Sequence, residues 1–136
     1  DIQFVNNTDL IVLDNIEEVF KTCDIVSLHV PLLDSTKGLI SKPILEKSTK
    51  PGLLLVNTSR AGLIEEQDIL DAISFGNLGG YLTDVLLTEP MDSSCLLANN
   101  SKILITPHIG SRTQETIEQQ GTAAISNLIE LSLNGK

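Results

Sequence analysis

The sequence predicts an α/β fold built around a doubly wound parallel sheet, and three observations carry that expectation. Short runs rich in Val, Ile and Leu end at Gly or Pro, the pattern of buried parallel strands. Between them lie stretches whose apolar residues recur at helical spacing. Hydrophobic residues make up 41% of the 136, yet Trp is absent and only Phe4, Phe20, Phe75 and Tyr81 are aromatic. The core must therefore be aliphatic, which suits such a sheet better than a small β-sandwich. A chain of this length fits one domain with a sizeable core.

The elements follow in order. Residues 10–13, Leu-Ile-Val-Leu, are a short strand candidate. Asp14 or Asn15 can cap a helix carrying Ile16, Val19 and Phe20, with Glu17 and Glu18 in the first turn where the helix dipole favours acids. A strand over 24–30 stops at Pro31. Ser41 caps a short helix over 41–47, with Pro43 tolerated in its first turn. A strand over 53–57 leads into a turn through Ala61 and Gly62. Glu65 or Glu66 opens a helix with Ile69, Leu70 and Ile73, and Gly76 is its natural stop. Gly79 and Gly80 precede a strand over 81–86, residues 88–101 form a loop, and a strand follows over 102–106. The last helix, about 113–133, aligns Ile117, Ala124, Leu128 and Leu131 on one stripe with Ile125 and Ile129 beside it. Gly121 inside it costs about 1 kcal/mol against Ala, so a close packing contact is expected there.

A net charge of −9 and a pI near 4.5 argue against a nucleic-acid partner, because phosphate binding needs concentrated Lys and Arg. Cys23 and Cys95 are isolated thiols without CxxC spacing, as expected of a reduced, cytoplasmic protein. No apolar stretch approaches the ~20 residues of a membrane span, and no signal peptide is visible. The chain starts at Asp1 rather than Met, so its true beginning is expected upstream.

Three polar residues stand just beyond apolar runs: Arg60 after 53–59, Glu89 after 81–87 and His108 after 103–107. Ligands of open α/β sheets bind outside the carboxyl ends of the strands. A cation, a carboxylate and an imidazole gathered there can hold an anion, tune a base and move a proton, which points to an enzyme site. Each residue also has a plainer reading. Arg60 can be a surface arginine in an ion pair, His108 a strand-end histidine bonded to backbone, and Glu89 an ordinary loop carboxylate. Their joint placement favours the site. His29, near a strand end, divides evenly between a satisfied half-buried histidine and a cofactor-side role.

Four motifs occur in register: Cys23-Asp24-Ile25-Val26-Ser27-Leu28-His29-Val30-Pro31-Leu32 with Thr36 and Gly38; Asn57-Thr58-Ser59-Arg60-Ala61-Gly62; Asp84-Val85-Leu86-Leu87-Thr88-Glu89-Pro90; and Thr106-Pro107-His108-Ile109-Gly110-Ser111. Together they resemble the NAD-binding domain of the D-isomer-specific 2-hydroxyacid dehydrogenases, from about Leu13 to the C-terminus. The resemblance implies a Rossmann-like sheet and a reaction between a 2-hydroxy acid and its 2-keto acid, with NAD as cofactor. Arg60 then grips the substrate carboxylate and carbonyl through its guanidinium fork. His108 is the general acid/base, and Glu89 pairs with the imidazole and fixes its orientation. On the cofactor side the resemblance places Val30 and Pro31 along the adenine and ribose, and Thr36 near the pyrophosphate. Thr58 and Ser59 fall near the nicotinamide ribose, Asp84 near the carboxamide, and Gly110 and Ser111 at the nicotinamide face, with Arg60 and His108 alongside. For Thr36 and Ser111, turn and helix-capping roles stay open. No metal is implied, and a homodimer of the complete protein is expected.

The chain also departs from that pattern. It has no G-x-G-x-x-G, and Gly79-Gly80 precede a strand, so they cannot form the phosphate-binding turn. The expectation is therefore an incomplete sheet, the C-terminal portion of a dinucleotide-binding domain over 1–136, lacking its first β-α-β unit and the substrate-binding domain. Asp1 is a candidate for the acidic residue that binds the ribose hydroxyls. The alternative to an enzyme fragment is a non-catalytic, dehydrogenase-like nucleotide-binding or scaffold module. The motifs do not separate one hydroxy acid from another, nor NAD from NADP.

Overall fold

The computed structural model describes residues 10–47 and 50–134; Asp1 lies outside them. The elements are α1 (Ile16–Thr22), β1 (Ile25–Leu28), α2 (Lys42–Leu45), β2 (Leu54–Asn57), a 3-10 turn (Ala61–Leu63), α3 (Glu66–Phe75), β3 (Gly80–Thr83), β4 (Ile103–Ile105) and α4 (Gln114–Asn134). The four strands are parallel, in the order β1-β2-β3-β4. Leu28 pairs with Asn57, Asn57 with Thr83 and Thr83 with Ile105. All four strands thus end along one line, and every loop that follows leaves from the same edge. The strands are shorter than the apolar runs suggest because the chain turns off this line at once.

Side chains alternate across the sheet. Val26, Leu28, Leu55 and Tyr81 join Phe20 of α1, Leu45 of α2 and Ile69, Ala72 and Ile73 of α3 in one buried, mainly aliphatic cluster that also holds the aromatic rings of Phe20 and Tyr81, and Leu97 anchors the 88–101 loop to it. The opposite face stays open among the described residues: Ile25 is 62% and Leu104 57% exposed. Strand order explains this. Right-handed crossovers that always step in one direction return on the same side, and a second helical layer needs a reversal of order.

The chain corrects three local expectations. Residues 10–13 form no strand; Leu10, Ile11 and Val12 are exposed coil, because apolar character without a ladder partner does not make a strand. Gly121 meets nothing within 4 Å, and α4 buries none of its residues, so no packing contact exists there among the described residues. Ser41 precedes α2 but makes no side-chain cap bond. The cap comes from across the fold, where the Asp68 carboxylate accepts from Lys42 N–H at 2.7 Å. Asn15 caps α1, accepting from Glu18 N–H at 2.9 Å, and Gly76 ends α3 in the left-handed region, both as expected.

The transferred cap has a measurable consequence. Asp68→Ala removes the bond and should lower stability by about 1 kcal/mol, the usual value of an N-cap. Ser41→Ala should change it by less than about 0.5 kcal/mol. Urea unfolding of the full-length protein checks this; the reverse ranking would return the cap to Ser41.

Candidate active site

The carboxyl edge is organised by buried polar groups at the strand ends. Asn57, fully buried, accepts from Ser59 N–H at 3.0 Å and donates from Nδ2 to Arg60 O at 3.0 Å and to Tyr81 Oη at 3.3 Å. An amide with an acceptor and donors suits this job, since it closes the 57–60 turn from within. The Arg60 side chain is exposed beyond the turn, and its Nη1 donates to Ser59 O at 2.7 Å. Arg60 has no ion pair among the described residues, so its charge remains uncompensated by a carboxylate. Burial pushes the Tyr81 phenol up from its usual range, against hydrogen bonds with Thr83 and Asn57.

Glu89 and His108, 19 residues apart, meet: Nδ1 of His108 lies 2.7 Å from Oε2 of Glu89. The other carboxylate oxygen, Oε1, accepts from Leu86 N–H at 2.9 Å. That backbone bond, followed by the one to His108, holds the Glu89 carboxyl below the usual carboxylate range. The imidazole is half exposed, and with Nδ1 committed to Glu89, proton exchange with a ligand falls to Nε2. A cavity of about 210 Å³ opens beside the pair, walled mainly by Leu86, Pro90, Met91, Ile105 and Pro107. The Glu89–Pro90 peptide is cis.

Asp84 is buried at the end of β3. Its carboxylate accepts from Thr106 Oγ1, from Ile109 N–H at 2.9 Å and from Gly110 N–H at 2.7 Å. Burial raises its proton affinity, but these bonds and the nearby His108 outweigh it, so its pKa lies below the ordinary value.

The expected cofactor residues divide by what their polar atoms already do. Thr36 Oγ1 donates to Pro31 O and accepts from Leu33 N–H, so it braces its own loop, the turn role left open above. Ser59 Oγ donates to Val30 O, tying the loops after β1 and β2 together. Thr58 and Ser111 are exposed. Ser111 does not cap α4; Thr113 Oγ1 accepts from Thr116 N–H instead. His29 is exposed, with Nε2 2.9 Å from Ser27 Oγ. Thr58, Arg60, His108 and Ser111 are all exposed along the carboxyl edge. Among the described residues nothing forms a glycine-rich phosphate-binding turn. Sequence reasoning missed Asn57 and Thr106 as organisers; the available signal was a polar residue closing each apolar run.

Among the described residues, no cluster of His, Cys, Asp and Glu is arranged to hold a metal, and no helix is long and apolar enough to cross a membrane.

Comparison with known proteins matches residues 4–110 to the family model described as D-isomer specific 2-hydroxyacid dehydrogenase, NAD binding domain. A D-3-phosphoglycerate dehydrogenase of Mycobacterium bovis is 36% identical over 90% of this chain, which spans 22% of that protein. Among solved structures, a Granulicella formate dehydrogenase superposes with a TM-score of 0.86 at 26% identity, covering 100% of this chain and 36% of its own. A glyoxylate reductase from Paecilomyes thermophila does so at 0.77 and 32% identity, covering 89% and 36%.

Proposed function

Because this chain belongs to the NAD-binding domain family of the D-isomer specific 2-hydroxyacid dehydrogenases, we propose that the protein carrying it interconverts a D-2-hydroxy acid and its 2-keto acid with NAD(H). The observation that supports this most is the Glu89–His108 pair at the strand edge that also carries Arg60. Bound NAD(H) would supply or accept the hydride. The residues here do the rest. Arg60 offers a planar two-point fork to the substrate carboxylate and carbonyl oxygen. His108 Nε2 gives a proton to the carbonyl oxygen in reduction and takes it back from the hydroxyl in oxidation. Glu89 holds the ring in orientation through Nδ1. Val30 and Pro31, with Thr36 bracing their loop, would line the adenine side. Thr58, Ser59, Asp84, Gly110 and Ser111 would border the nicotinamide end.

The complete protein is taken to be a cytoplasmic homodimer. The two free thiols, Cys23 and Cys95, support the compartment, and the family resemblance supports the dimer.

Turnover of the full-length protein against a panel of 2-keto acids, with NADH and with NADPH, tests the reading. NADH binding without turnover of any of them would favour a scaffold module. Arg60→Lys should lower kcat/KM for the keto acid roughly 10–100-fold, the loss of about one charge-assisted hydrogen bond. The fall should be mostly in KM, and unchanged KM and kcat would remove Arg60 from substrate binding.

A further inference from the structure

The backbone at His108 is unusual. Its φ is +54°, the left-handed region, which costs a side-chain-bearing residue energy unless something holds it there. Next in the chain, the N–H groups of Ile109 and Gly110 both point at one carboxylate, that of Asp84. Successive N–H groups around a left-handed residue form an anion-binding concavity, and here its occupant is supplied from the neighbouring strand. Gly110 belongs to the same arrangement, since a Cβ there would sit 3.0 Å from Asp84 Oδ2. Thr106, just before the turn, donates its hydroxyl to the same Asp84 oxygen, Oδ1, that accepts from Ile109 N–H.

We propose that Asp84 is a positioning residue, whose carboxylate seated against Ile109 and Gly110 holds the His108 backbone in its left-handed conformation and so aims the imidazole. This rests on the dehydrogenase reading of the site. Glu89 fixes the ring at Nδ1, and Asp84 fixes the main chain that carries it. Two anchors on different segments leave the imidazole little freedom, and a displacement near 1 Å at a reacting group can cost about 100-fold in rate. Three donors fill most of the carboxylate's roughly four acceptor positions, so holding this loop is its main work and any contact with the carboxamide is secondary.

Asp84→Asn in the full-length protein tests the proposal. The amide keeps the shape, but its NH2 must face either Gly110 N–H or the Thr106 and Ile109 donors, so at least one bond is lost. Hydrogen exchange at Ile109 and Gly110 should quicken by about tenfold or more, one to two hydrogen bonds' worth, while the β3–β4 ladder amides keep their rates. Turnover should fall about 10–100-fold in kcat with KM for the keto acid little changed. Gly110→Ala, which crowds the carboxylate without removing its charge, should reproduce both effects and serves if the Asn variant does not fold. Unaltered exchange at 109 and 110 in both variants overturns the proposal, as does faster exchange with normal kcat. A rise confined to KM for NADH would make Asp84 a cofactor ligand instead and also overturns it. If the wild-type protein turns over no 2-keto acid, the dehydrogenase reading fails, while the exchange data still report on the clamp.

Discussion

Replacing His108 with alanine in the full-length protein is expected to lower kcat by ~10²–10⁴, the usual contribution of a positioned acid/base. The range corresponds to roughly 3–5 kcal/mol of barrier. Binding of the keto acid should change much less, because Arg60 leaves from a different strand end and does not depend on the imidazole for its turn. Glu89→Gln should give a smaller fall, because the ring loses the carboxylate that holds it at Nδ1. Glu89 itself has its pKa depressed by Leu86 N–H and His108. Whatever stability this adds is present above the unfolded pKa and is lost as pH falls through the folded one. Near-normal kcat in the alanine variant, with a good substrate, would end the acid/base assignment.

The 136 residues by themselves are expected to bind NADH weakly or not at all and to show no turnover. Dinucleotide affinity in such sheets rests on a glycine-rich turn and helix N-terminus, whose N–H groups meet the pyrophosphate. This sequence contains no G-x-G-x-x-G. The proposed edge contacts, on the adenine and nicotinamide sides, leave the pyrophosphate without donors, and a net charge of −9 disfavours a further anion. The same chain should self-associate. Among the described residues β1 is an edge strand, Ile25 and Leu104 lie on an open sheet face, and Ile125, Leu128, Ile129 and Leu131 of α4 are exposed. Unpaired strand edges and large apolar patches recruit further copies. Calorimetric titration and light scattering measure the two halves. Micromolar binding of NADH by a clean monomer would mean that the chain holds the cofactor in another way.

Much of this was legible in the residues because the signals are local. Apolar runs marked β1 to β4, helical spacing marked α1 and α3, and a glycine in the left-handed region stopped α3. The run at 10–13 misled because a strand is defined by its partner, and no partner lies beside those residues among the described ones. Ser41 misled because Asp68, 26 residues beyond Lys42, caps the helix end instead. Gly121 misled because the stripe on α4 has no surface to pack against in the described structure.

By itself the sequence determined the fold class, the order of elements and the residue types at the carboxyl edge. These follow from periodicity and from what each side chain can donate, accept or charge. Only the tertiary structure decided how those residues are held. Asn57 closes the Arg60 turn from within, Glu89 meets His108 across 19 residues, and Asp84 spans to Ile109 and Gly110. The reason is physical: a hydrogen bond depends on distances of a few ångströms between segments far apart in the chain. That proximity exists only once parallel pairing has aligned Leu28, Asn57, Thr83 and Ile105 on one line.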